Sequence, residues 1–125
     1  MRNLYDRFAA AMRTCVGPEP IKVRLNAAWL EHLDVIQPAE MPDILQQEFR
    51  ALRRAMYAVQ PLPDEAEPTA AIRKMSAAQA AQHTGTILKL ATELLALCIS
   101  HDSRSDADTQ QLVFGRDFVT PERLN

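Results

Sequence analysis

Apolar residues recur along this chain at steps of three and four, the spacing that gathers side chains onto one face of a helix. Leu4, Phe8, Ala11, Met12 and Cys15 make the first stripe, with Arg2, Asp6, Arg7 and Arg13 off it. Gly17 and Pro18 then stop the helix. Leu25, Ala28, Trp29, Leu33 and Ile36 make a second stripe over residues 21–36, closed by Gln37 and Pro38. The third is the most regular: Leu45, Phe49, Leu52, Met56 and Val59, with Ile44 beside it. Pro42 suits the first turn of that helix, and Asp43 and Glu48 lie towards the positive end of its dipole. Arg50, Arg53 and Arg54 sit in its C-terminal half, where cations are favoured, and are expected to face water. Pro61 and Pro63 end it.

Residues 60–68 read as a proline-rich acidic surface loop carrying Asp64, Glu65 and Glu67. Residues 72–75 read as a short first turn. Ser76 followed by Gln79 fits a capping box, in which each side chain bonds a free backbone N–H of the other residue. From there the pattern predicts a helix to about Ser100. Gly85 lies inside it, and glycine there costs about 1 kcal/mol relative to alanine. Because Ala77, Ala78, Ala80 and Ala81 are also small, the expectation is that another backbone packs closely here. His101 to Thr109 read as a polar turn. A short fifth helix and a C-terminal arm with Leu112, Val113, Phe114, Phe118 and Val119 are expected to follow.

Residues 87–99 are the most informative stretch. Only Lys89, Thr92 and Glu93 among them are polar. At about 100° per residue, Gln82, Thr86, Lys89, Glu93 and Ser100 align as one narrow strip, and the rest of the circumference is apolar. A helix at the edge of a small bundle needs an apolar stripe upwards of roughly 100° wide. This helix therefore needs neighbours on two or three sides, supplied by its own chain or by the same helix of a second copy.

Composition sharpens the class. Alanine (19) and leucine (14) far outnumber valine and isoleucine (6 each), a helical rather than a strand bias. The eight prolines fall in four clusters that leave proline-free blocks between them. The predicted fold is one all-α domain over residues 1–125: an antiparallel bundle of four main helices, with residues 102–125 forming the turn, the short fifth helix and the arm. Its expected core is Leu4, Phe8, Met12, Leu25, Trp29, Leu33, Leu45, Phe49, Leu52, Met56, Ile87, Leu90, Leu94 and Leu97. With 47% apolar residues in 125, the chain has enough material for a core without metal or disulfides. Cys15 and Cys98 lie on apolar stripes and read as buried, reduced thiols.

Charge and run length exclude several classes. The net charge of −2 lacks the basic excess of a general nucleic-acid coat. The longest apolar run, Leu94 to Ile99, is far short of the roughly 20 residues of a membrane span. Arg2, Asp6, Arg7 and Arg13 interrupt the N-terminal stretch where a signal peptide would be apolar, so the expected location is cytoplasmic.

Candidate chemistry is thin. No glycine-rich phosphate loop is present among three glycines. His32 and His83 lack the Glu-x-x-His spacing of a bundle metal site. With Trp29 they are the residues an interior ligand pocket would use. His101, Asp102 and Ser103 are adjacent in sequence, which does not make them converge. Glu31 with Asp34, and Asp64 with Glu65, lie in polar surroundings and read as solvated charge. Arg50, Arg53, Arg54 and Arg73 are a candidate anion patch, with no aromatic platform between them. Trp29 reads as core, its indole N–H reaching a partner at the edge. The expectation is a non-enzymatic interaction protein without cofactor or metal, acting as a homodimer. Its candidate interface is Leu88, Leu95, Ile99, Phe114 and Phe118. A small-ligand or metal-binding bundle is the alternative, and anion binding through the arginines a weaker one.

Overall fold

The computed structural model describes residues 1–113, with side chains described as far as His101. Among these residues the chain is all-α, with five α-helices and no strand. Helix α1 spans Arg2–Cys15, α2 Ile21–Ala28, α3 Asp43–Met56, α4 Glu67–Lys74 and α5 Ala77–Val113. None of them is long and apolar enough to cross a membrane.

The three apolar stripes become the core. Phe8, Ala11 and Cys15 of α1 meet Leu25 and Ala28 of α2 and Leu45, Phe49, Leu52 and Met56 of α3. Ala80, Ile87, Leu90, Ala91 and Leu94 of α5 close the cluster. Three aromatic rings stand at its centre. Trp29 stacks on Phe49 with centroids 5.9 Å apart, and Phe8 meets the same phenylalanine edge-on at 5.8 Å. Leu4, Met12 and Leu97, expected inside, are half-buried and pack against this cluster.

Several boundaries differ from expectation for identifiable reasons. The second helix widens into a π-helical turn over Trp29–Leu33, where the Asp34 amide reaches back to the Trp29 carbonyl at 2.8 Å. All five members of its stripe are nonetheless fully buried. Helix α3 ends at Met56, so Val59 lies beyond it. The expected loop over residues 60–68 is shorter, because Pro68 sits in the first turn of α4, where its missing N–H costs nothing. The short helix among the described residues is thus α4, which precedes the long one. The expected turn at His101–Thr109 is also absent: those residues continue α5. At 37 residues that helix is about 55 Å long. Phe114, Phe118 and the arm lie outside the described residues.

The start of α5 matches its signature. The Ser76 amide donates to Gln79 Oε1 at 2.8 Å, and the Gln79 amide donates to Ser76 Oγ at 3.0 Å. Gly85 does not mark a close approach within the chain. It is exposed, and a Cβ placed there meets nothing within 4 Å.

Candidate interaction surface

Two apolar seams run along α5. The inner one is Ala80, Thr84, Ile87, Ala91, Leu94 and Cys98, all buried under the rest of the chain. The outer one is the same alternation of four and three steps displaced by one residue: Ala81, Gly85, Leu88, Thr92, Leu95 and Ile99. One residue along an α-helix is a rotation of about 100°, so the outer seam faces sideways from the core. Ala81, Gly85, Thr92, Leu95 and Ile99 are exposed and Leu88 is half-buried. Ile99 shows 55% of its surface and Leu95 38%. Most of this second side is thus uncovered among the described residues, while α3 approaches the helix from beyond the Lys89 strip.

The strip beside that seam carries the only Lys, Arg, Asp or Glu residues between Ala77 and His101, namely Lys89 and Glu93. The Lys89 ammonium lies 3.2 Å from a Glu48 carboxylate oxygen and 4.0 Å from one of Glu93. Its charge is therefore neutralised beside the seam.

The four arginines of the candidate anion patch divide. Arg50 and Arg54 are exposed. Arg53, expected to face water, is half-buried and clamps the end of the second helical segment. Its guanidinium donates to the Asp34 carbonyl at 2.8 Å and to that of Ile36 at 3.2 Å. It also stands 5.0 Å from the centre of the Tyr57 ring. Arg73 is on α4, where it makes a two-pronged bond to Glu65 at 2.9 and 3.1 Å. That bond holds the Glu65 carboxyl below its usual range and the Arg73 guanidinium above its own. Glu65 also accepts the Leu62 amide, which ties down the loop before α4.

The histidines lie apart. His32 stands 3.3 Å from Thr14 Oγ1 and 3.8 Å from Glu31. His83 lines a cleft of about 210 Å³ between α3 and α5, with Glu48, Ala51, Leu52, Gln82 and Thr86. Burial pushes its imidazole below the ordinary value of 6.5. No group of three or more His, Cys, Asp or Glu side chains is placed to hold a metal ion among the described residues. Neither carboxylate pair is a working pair. Asp34 turns to Trp29 and Tyr57, while exposed Asp64 sits in a turn with φ 66° and Glu65 is held by Arg73.

Two features escape sequence reasoning. One is the Asp34 hub: its carboxylate accepts the Trp29 indole N–H at 3.1 Å and the Tyr57 hydroxyl. Burial and the hydrogen bond to Asp34 push the Tyr57 phenol up. The apolar placement of Trp29 signals an edge partner without saying which. The other is the small half of the outer seam, Ala81 and Gly85, whose alternation with Leu88, Thr92 and Leu95 is present in the spacing. No protein-family model, curated protein or solved structure matches the chain.

Proposed function

We propose that this protein is a non-enzymatic helical interaction protein that works as a homodimer through the outer side of α5. In this proposal α1, α2, α3 and α5 form an antiparallel bundle, as the short connections after the first two helical segments favour. The bundle presents α5 to a second copy. The observation that carries it is the exposure of Leu95 and Ile99 at a four-residue step, in a seam whose six positions carry no charged residue. Two-fold pairing is the commonest way for a soluble chain to cover such a face. Light scattering at tens of micromolar is expected to give twice the 14.0 kDa chain mass. Leu95→Asp is expected to give the single-chain mass with unchanged helical circular dichroism. A single-chain mass for the wild type overturns the proposal.

A second proposal, small-ligand binding, has one observation in its favour: the cleft that places His83, Gln82, Thr86 and Glu48 around one opening. Its volume is below the roughly 300 Å³ at which ligand pockets begin. A thermal-shift screen of small polar compounds tests it. A hit abolished by His83→Gln supports this use of the cleft, and the absence of hits removes it.

A further inference from the structure

Helix α4 is the most lightly packed of the five α-helices. Of its eight residues, Pro68, Ala70, Ala71 and Ile72 are buried. Ile72 is the one that joins the core cluster. Helix α3, by contrast, puts Leu45, Phe49, Leu52 and Met56 into it, and the equally short α2 runs on into Trp29 and Leu33. A helix of eight residues is marginal in water without packing. One isoleucine, two alanines and a proline bury far less apolar surface than the other helices do.

Polar contacts fix α4 no more firmly. Among the described residues two hydrogen bonds join it to the rest, both to α2. Thr69 Oγ1 donates to Asn26 Oδ1 at 2.8 Å, and Lys22 Nζ donates to the Arg73 carbonyl at 3.0 Å in an exposed bond. Its other side-chain bonds stay inside its own segment. The Leu62 amide donates to Glu65 Oε1, the Glu65 amide donates to the Leu62 carbonyl, and Arg73 grips the Glu65 carboxylate. These bonds make the turn and the helix one piece without fixing that piece to the body.

The neighbours of α4 are held by other means. Tyr57, before the segment, is bonded to Asp34, and Met75, after it, packs against the core cluster. The start of α5 is capped by Ser76 and Gln79. Helix α2 also packs on α1 and α5, and Phe49 of α3 meets both Trp29 and Phe8. We propose that residues 62–74 are a strap across α2 and α3 that lifts off between its anchors at Tyr57 and Met75, while the other helices stay assembled. Local openings begin where few apolar groups are buried and the hydrogen bonds are exposed. In the open form Ile72 leaves the core cluster, and its place there is reached by water. This device is independent of how the outer side of α5 is covered.

Native-state hydrogen exchange on the full chain tests it. After correction for intrinsic rates, the amides of Ala70 to Lys74 are expected to exchange at least about tenfold faster than the slowest amides of α3 and α5. A smaller difference overturns the strap. Leu94→Val then separates local from global opening, with Ile87→Val as a second variant of the same kind, each first shown to fold by circular dichroism. Leu94 lies about 26 Å along α5 from its first residue. Its truncation is expected to speed the slowest amides of α3 and α5 severalfold and to leave α4 unchanged. An equal acceleration in α4 means that it opens only when the whole protein unfolds, and overturns the proposal. Brief trypsin treatment gives a further reading, since Arg50 and Arg54 of α3 and Arg73 and Lys74 of α4 are all exposed. Cleavage in α4 is expected to precede cleavage in α3, and the reverse order overturns the proposal.

Discussion

Asp34 shows how much one side chain settles in a small helical protein. Its carboxylate joins Trp29, at the start of the π-helical turn, to Tyr57, just past the end of α3. Its own carbonyl receives Arg53. Replacing it with alanine leaves an indole N–H and a phenol hydroxyl without their acceptor, and an unmet half-buried donor costs about 1–3 kcal/mol. Asp34→Ala is therefore expected to destabilise the fold by that amount in urea unfolding, with a shift in Trp29 fluorescence. An unchanged midpoint would show that the hub holds nothing. The neighbouring Glu31, equally acidic in sequence, is exposed, and nothing in its spacing distinguishes it from Asp34.

At the scale of the elements, the stripes are legible because burial demands them. Phe8, Leu25, Trp29, Phe49, Leu90 and Leu94 have no other place to go. The π-helical turn is not legible, since Trp29 and Leu33 have the same spacing in either kind of helix. The contacts that accompany it are tertiary, the stacking of Trp29 on Phe49 and the bond of Asp34 to Tyr57. The start of α4 reads as loop in the sequence, and residues 72–75 as a short first turn, because Pro68 looks like a breaker, although in a first turn proline favours a helix. The extension of α5 past His101 is hidden for the converse reason: polar residues there suggest a turn, but no proline or glycine stands between His101 and Val113 to enforce one. Of the candidate interface, Leu88, Leu95 and Ile99 are legible as surplus apolar surface. Gly85 reads as a point of close backbone packing, and no part of the described chain supplies it. Gly85→Ala is expected to stabilise α5 by about 1 kcal/mol in urea unfolding. The gain should be read in the Leu95→Asp background, so that contact between copies does not enter. No gain there would mean that the helix needs a glycine.

For the whole molecule, protonation offers a test of how tightly α3 and α5 close. Burial keeps His83 neutral below the 6.5 at which the unfolded chain takes up its proton. Below that pH the unfolded state binds more protons than the native one, so stability falls as pH falls. The contribution is complete above 6.5 and declines below it, until the folded state also protonates. Between neutral and mildly acidic buffers the wild-type melting temperature is expected to drop further than that of His83→Gln, by differential scanning calorimetry. Equal drops would place the imidazole in water.

Helix α2 has a role larger than its eight residues. Arg24 donates to the Cys15 carbonyl at the end of α1 at 2.6 Å, and Lys22 to the Arg73 carbonyl near the end of α4 at 3.0 Å. Two other helices therefore borrow their termini from it. Once this short segment lifts away, carbonyls on both its neighbours lose their donors in the same event.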